Sequence, residues 1–552
     1  MLALLMVPTI LGVETTEAPG ALGVLNAIEI NREISKAKRV ADLVQLHVEQ
    51  GEPTADARGG LNAMNMANLW ERLAMAGSRD DLEQSRDILR PICETTIKFL
   101  AETGVAPSAR QGLIPAFDAS EVTKIAYTMA SKGMVEGSPW RDVWLALPPA
   151  TVIVLPDMQA PELAAALWSF AKSGFAVPAL FEGMVTEMVP KLETLTPRQL
   201  RSVAWSIATA GEQTSHTSPL FFEKLANVVI ADLHNFLPIE IANVAWAYAT
   251  SGVAAPELFE AIALHSAPRI YEYDATSLAT LSWAFASLRH GVPYFPRTLF
   301  DAIAKEAVPQ LYQFSPQELT NLAWSFAILG HSAPSLFDAI GTQALSYLPP
   351  SGTDRLRASL KDRPLLIFNP QEFASLAWSY AVFGLADPAS EKRLATSGDT
   401  LFASERFTER AEELTPTFSL DELGQLAMFE EWRGKVVANH ALPWPELPET
   451  LQKMIRAAGL ANQVSQNLEK NLVRDRSGDR SGDRSGDRVA GQAKAQCPTR
   501  RRMLMEWNMP TALGTRDTPT DGRIVESATA AQVPDEESWY QGEDAPTLTC
   551  GP

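Results

Sequence analysis

The sequence predicts an all-α solenoid of tandem two-helix repeats, about 37–41 residues each, on three observations. A tryptophan-centred segment recurs six times. Each copy opens on a helix-start signature and most close on glycine. Between copies lies a second apolar stretch that begins with proline and a Leu-Phe or Phe-Phe pair.

The six copies read ELAAALWSFAKSG (162–174), QLRSVAWSIATAG (199–211), EIANVAWAYATSG (240–252), SLATLSWAFASLRHG (277–291), ELTNLAWSFAILG (318–330) and EFASLAWSYAVFG (372–384). Their tryptophans, Trp168, Trp205, Trp246, Trp283, Trp324 and Trp378, are 37, 41, 37, 41 and 54 residues apart. An insertion over Pro349–Leu366 stretches the last interval. Fixed residue types at fixed offsets mark a repeat architecture, in which no unit buries its apolar face alone.

Each copy predicts a helix. Leu319, Leu322, Ala323, Phe326 and Ala327 recur at three- and four-residue spacing, which draws one apolar stripe along a helix. Ser315-Pro316-Gln317-Glu318 and Thr196-Pro197-Arg198-Gln199 are capping boxes with proline at the first helical position. Asn369-Pro370-Gln371-Glu372 is the Asn-capped form. At the other end Gly174, Gly211, Gly252, Gly330 and Gly384 fit the left-handed residue that stops a helix. The fourth copy departs, with Arg289 where glycine is expected.

The second helix of each repeat opens at Pro178, Pro219, Pro256, Pro296 or Pro334, and Pro190, Pro268 and Pro309 predict where three of them end. Fainter copies extend the array. Glu121–Gly133 carries Tyr127 at the tryptophan position, Asn65–Gly77 has Trp70 one place early, and Leu423–Met428 is a degenerate last copy. The organisation is then an N-terminal tail (1–20), degenerate helical repeats (21–155), the core solenoid (156–390), a C-terminal helical cap (391–473) and a disordered low-complexity tail (474–552). That tail opens with Asp-Arg-Ser-Gly three times over and is polar and aperiodic thereafter.

Composition narrows the function. Three scattered cysteines, Cys93, Cys497 and Cys550, suit neither a disulfide framework nor a zinc site. The apolar run Leu2–Leu11 is too short to span a bilayer and lacks a basic flank, so neither a membrane span nor a secretory signal is expected. There is no phosphate loop, GxSxG, HExxH or kinase signature, so the chain reads as a binding scaffold with no catalytic residues, metal or cofactor. A net charge of −19 weighs against a simple phosphate-binding surface. Within 157–390 there are 13 Lys and Arg against 21 Asp and Glu, a net of 13 − 21 = −8. Cations that could still form a basic stripe are Lys172, Arg198, Arg201 and Lys224 near one end, with Arg355, Arg357, Lys361 and Arg363 in the insertion.

A ligand could meet the first helix of each repeat. Ser202, Ser206, Asn243, Thr280, Asn321, Ser325 and Ser375 fall off the apolar stripe, and the residues at 165, 202, 243, 280, 321 and 375 vary inside an otherwise fixed motif. Short Asn, Ser and Thr side chains donate and accept without bulk, as readout of a base edge requires. The same residues could instead face water or let helices pack closely. The tryptophans read as core.

The Pro-x-Glu-Leu, Leu-Ala-x-x-Ala-Trp-Ser-Phe-Ala-x-x-Gly and Pro-x-Leu-Phe elements resemble the octotricopeptide repeats of algal organelle proteins. They are also similar to the related FAST-kinase-like and RAP-domain proteins, over residues 60–435. The resemblance implies an RNA-binding α-solenoid in a mitochondrion or chloroplast, acting in RNA stability, processing, translation or ribosomal RNA maturation. It implies single-stranded RNA as ligand and other organellar RNA-processing proteins as partners. Many relatives end in a RAP module. Leu447–Arg456 resembles the spacer before it, but the Asp-Arg-Ser-Gly tract follows instead, so no activity of that module carries over. A protein-binding scaffold of HEAT or armadillo type is the alternative, which the acidic balance favours.

Overall fold

The computed structural model describes residues 26–50, 61–105, 116–214, 218–288, 296–349, 367–386, 400–440, 442 and 444–459. The expectations for 1–20, for Arg289, for the insertion cations and for 474–552 lie outside these residues. The chain is an all-α solenoid, with no strand among the described residues.

The N-terminal helices are α1 (Ala27–Lys36), α2 (Val40–Gln50), α3 (Ala63–Ala76), α4 (Arg79–Gln84), α5 (Arg86–Thr103), α6 (Ala119–Ser131) and α7 (Trp140–Val154). The central repeats supply α8 (Ala160–Ser173), α9 (Pro178–Met188), α10 (Pro197–Thr214), α11 (Pro219–Asp232), α12 (Pro238–Ser251) and α13 (Pro256–Ser266). They continue through α14 (Ala275–Ser287), α15 (Arg297–Gln310), α16 (Pro316–Leu329) and α17 (Pro334–Ala344). The C-terminal helices are α18 (Pro370–Ala386), α19 (Glu405–Leu414) and α20 (Leu420–His440).

Two layers organise them. The first helices pack side by side in the order α1, α3, α6, α8, α10, α12, α14, α16, α18, α20. The faint copies at 65–77, 121–133 and 423–428 are therefore true rungs, and α1 adds one that the motif did not show. The second helices form the other layer, where α11, α13, α15 and α17 each pack onto the 3-10 turn that closes the repeat before. Those turns are Val189–Thr194, Leu233–Asn235, Ala267–Glu272 and Leu311–Gln313.

The starts follow the sequence chemistry. Where glutamate stands at the third helical position, its carboxylate accepts the backbone N–H of the capping residue: Glu318 from Ser315 at 2.8 Å and Glu372 from Asn369 at 2.9 Å. Gln199 does the same for Thr196 at 3.0 Å. Each such bond satisfies a donor that the helix leaves unpaired.

The stops are only partly as expected. Gly174, Gly252 and Gly330 sit at φ 74°, 68° and 62°, where a side chain would be strained. Gly211 and Gly384 do not end helices, because α10 and α18 run on past them. Gly384 has a different reason to be glycine. A Cβ there would land on the indole of Trp432, whose Cε2 would lie 2.9 Å away. Pro309 also differs from expectation, since α15 carries it in its last turn.

Aromatic rings join the layers. Phe222 meets Tyr248 edge to face at 4.9 Å, and the sequence continues through Phe259, Phe285, Phe300 and Phe326 in T-shaped contacts. Phe259 and Phe300 thus each sit between the aromatics two places beyond successive repeat tryptophans. Such pairs contribute about 0.5–1.5 kcal/mol beyond area burial. Tyr248 and Tyr380 donate their hydroxyls to the second-helix carbonyls of Phe222 and Phe337, at 2.5 and 2.6 Å.

Candidate functional site

The variable row lies six residues beyond the capping residue in every first helix. Across nine successive helices it reads Asn68, Lys124, Ala165, Ser202, Asn243, Thr280, Asn321, Ser375 and Gln425. Because the helices stack in one layer, row members on neighbouring helices meet. Lys124 Nζ donates to Asn68 Oδ1 at 3.0 Å. Ser375 Oγ lies 3.3 Å from the side-chain amide of Gln425. Asn68, Lys124 and Gln425 escape the sequence reading because their copies are degenerate, although counting from the cap would have found them.

The row is not uniformly accessible. Ser202 and Asn321 are half-buried, whereas Asn243, Thr280 and Ser375 are 4%, 1% and 3% exposed. Around them, Ala242, Ala245 and Ala279 of α12 and α14 are fully buried as well. Asn321 stands out for chemistry. Its amide Nδ2 is buried without a hydrogen-bond partner, and so is the indole Nε1 of Trp324 three residues along the same helix. Residues three apart on a helix are neighbours, so one site presents two unspent donors.

Ser206 and Ser325 are placed differently. Both are fully buried, and each hydroxyl donates to the carbonyl four residues back, Ser206 to Ser202 at 2.7 Å and Ser325 to Asn321 at 2.6 Å. Ser169 and Ser379 repeat this bond. Where a serine follows the repeat tryptophan, it therefore serves its own helix.

The cations fall into two groups. Lys172 is exposed, and burial of its stem followed by the charge of Arg79 holds its ammonium below the ordinary lysine value. Arg198 and Arg201 stand within electrostatic reach of Glu240 on the next first helix. Burial raises the Glu240 carboxyl, against the Leu237 N–H bond and the two guanidinium groups that lower it.

The repeat tryptophans are core residues with one edge near the surface. Trp246, Trp283, Trp324 and Trp378 are 4–5% exposed, and Trp168 and Trp205 are half-buried. Tyr127, at the same position one repeat earlier, lies 5.2 Å from Trp168 between ring centroids. No cluster of His, Cys, Asp and Glu is placed to hold a metal among the described residues. Nor is any of their helices long and apolar enough to cross a membrane. No family model matches the chain, and no curated protein matches it.

Proposed function

We propose that the chain is an RNA-binding helical-repeat protein that holds single-stranded RNA along the first-helix layer, in organellar RNA processing or ribosomal RNA maturation. The observation that carries this reading is the row itself: one variable position per repeat, polar in all but the repeat of Ala165, set in a fixed apolar frame and aligned across neighbouring helices. Modular readers of single-stranded RNA use one helical repeat per base and two or three side chains per repeat. Asn321 Nδ2 and Trp324 Nε1 are two buried donors with no hydrogen-bond partner, three residues apart on one helix, and a base carbonyl that reached them would satisfy both. Ser202 offers a hydroxyl at another. Lys172, with Arg79 of α4 near it, offers positive charge for phosphate at the N-terminal end of the layer, where Lys124 is already paired with Glu71 at 3.0 Å, in a chain that is acidic as a whole.

The organelle and the process rest on the resemblance of the repeat, and the ligand class rests on the row. Selection of bound sequences from a random single-stranded RNA pool tests the ligand class. Enrichment of a short motif by the full chain supports it. Retention of no RNA at low salt contradicts it.

A further inference from the structure

The second-helix layer carries a repeated feature of its own. The residue that follows the Leu-Phe or Phe-Phe pair is acidic in five consecutive repeats: Glu182, Glu223, Glu260, Asp301 and Asp338. Each is the fifth residue of its helix, and all five are exposed. From α9 to the turn after α17, the second helices and their closing turns hold five Lys and Arg against eleven Asp and Glu. The acidity of the array is concentrated there.

Large apolar side chains share this face. Leu264, four residues beyond Glu260 and so on the same side of α13, is 71% exposed. Tyr271 and Tyr312 occupy equivalent places in consecutive closing turns and are 68% and 70% exposed. The turn that holds Tyr271 packs against α15, which carries Asp301 and the exposed Val308. Scattered exposed apolar residues are ordinary on a protein surface, but the same aromatic at the same place in neighbouring repeats, beside a line of carboxylates, makes a patterned patch.

We propose that the face formed by α11, α13 and α15 docks a protein segment in which Lys or Arg alternates with large apolar side chains. Glu223, Glu260 and Asp301 meet the cations, and Leu264, Tyr271 and Tyr312 meet the apolar residues. A polyanion is repelled from this face, so it is distinct from the polar row on the other layer.

The test titrates a fluorescent amphipathic peptide of Lys, Leu and Ala into the full chain. The expected result is saturable binding that weakens at least tenfold in the variant Glu223→Lys, Glu260→Lys, Asp301→Lys. Binding also weakens at least tenfold when the peptide's leucines are replaced by serine. Reversing three exposed carboxylates elsewhere, Asp80→Lys, Glu405→Lys and Glu412→Lys, leaves it within twofold. Circular dichroism checks that both variants stay folded. Equal losses in the two charge-reversal variants, or equal binding of the serine peptide, overturn the proposal, because either shows only bulk attraction to an acidic protein.

Discussion

Ser375 on α18 and Gln425 on α20 touch through their side chains at 3.3 Å, and they are the same position of two consecutive repeats. Fifty residues of chain separate them, yet the stacking of first helices brings them together. Here, as at Lys124 and Asn68, two members of the variable row stand side by side on neighbouring helices.

Ser375→Ala leaves the buried Gln425 amide short of its partner at that contact. The expected cost is about 1–3 kcal/mol, the penalty for an unsatisfied buried polar group. Urea unfolding of parent and variant measures it. A second change, Gln425→Leu, should recover part of the loss, since apolar replacement of both partners removes the penalty.

Trp324→Ala should cost about 3–5 kcal/mol, because the ring is 5% exposed and its loss opens a cavity in the layer. Ser206→Ala should move the midpoint little. Its hydroxyl bonds only to the carbonyl of Ser202 in its own helix, a bond that contributes little to helix stability. Thermal melts of the two variants side by side separate the roles. Equal shifts would contradict the register.

Gly384→Ala tests a close approach instead of a turn. The added methyl meets the indole of Trp432, which is 2% exposed and packed against Phe402, Phe429 and Trp444. Overpacking of this kind costs about 1–3 kcal/mol. Alanine at Gly174, which has open space around it but φ 74°, should cost stability through backbone strain alone. Near-ultraviolet circular dichroism should change for Gly384→Ala and not for Gly174→Ala, since only the former displaces a tryptophan.

Much of this architecture was legible in the sequence. The capping boxes at Ser315, Thr196 and Asn369 form as the residues dictate, because a cap is decided within four residues. The glycine stops were legible only in part. Gly211 and Gly384 carry the same letter as Gly252, but whether a glycine turns the chain or admits a neighbour depends on what packs against it. The row was visible as variation inside a fixed frame. Its accessibility was not, because Asn243 and Asn321 share a position, yet the first is buried and the second half-buried among its neighbours. The acidic column beginning at Glu182 was written in the Leu-Phe-acid motif, but its exposure needed the two-layer arrangement.

Glu240 makes stability pH-dependent with a definite sign. Burial raises its folded-state carboxyl above the ordinary glutamate value of 4.5. The native state therefore holds that proton more tightly than the unfolded chain, and stability falls as pH rises from 4.5 through the elevated value. Glu240→Gln removes this slope, and glutamine can keep the cap, as Gln199 does for Thr196. Urea midpoints at pH 4.5 and at neutrality should fall less in the variant. A larger fall would contradict the assignment.

Under the proposed function, Asn321 and its row on the first-helix layer carry the selectivity for RNA. A base-edge contact from asparagine is worth about 1–3 kcal/mol of discrimination, or roughly 5- to 150-fold. The most direct measurement titrates the parent and Asn321→Ala against the selected RNA and a scrambled RNA of the same composition. The variant is expected to lose affinity for the selected RNA, to keep its affinity for the scrambled one, and to match the parent's unfolding free energy in urea to within about 1 kcal/mol. Equal losses on the two RNAs, or binding of neither RNA by the parent at low salt, would contradict it.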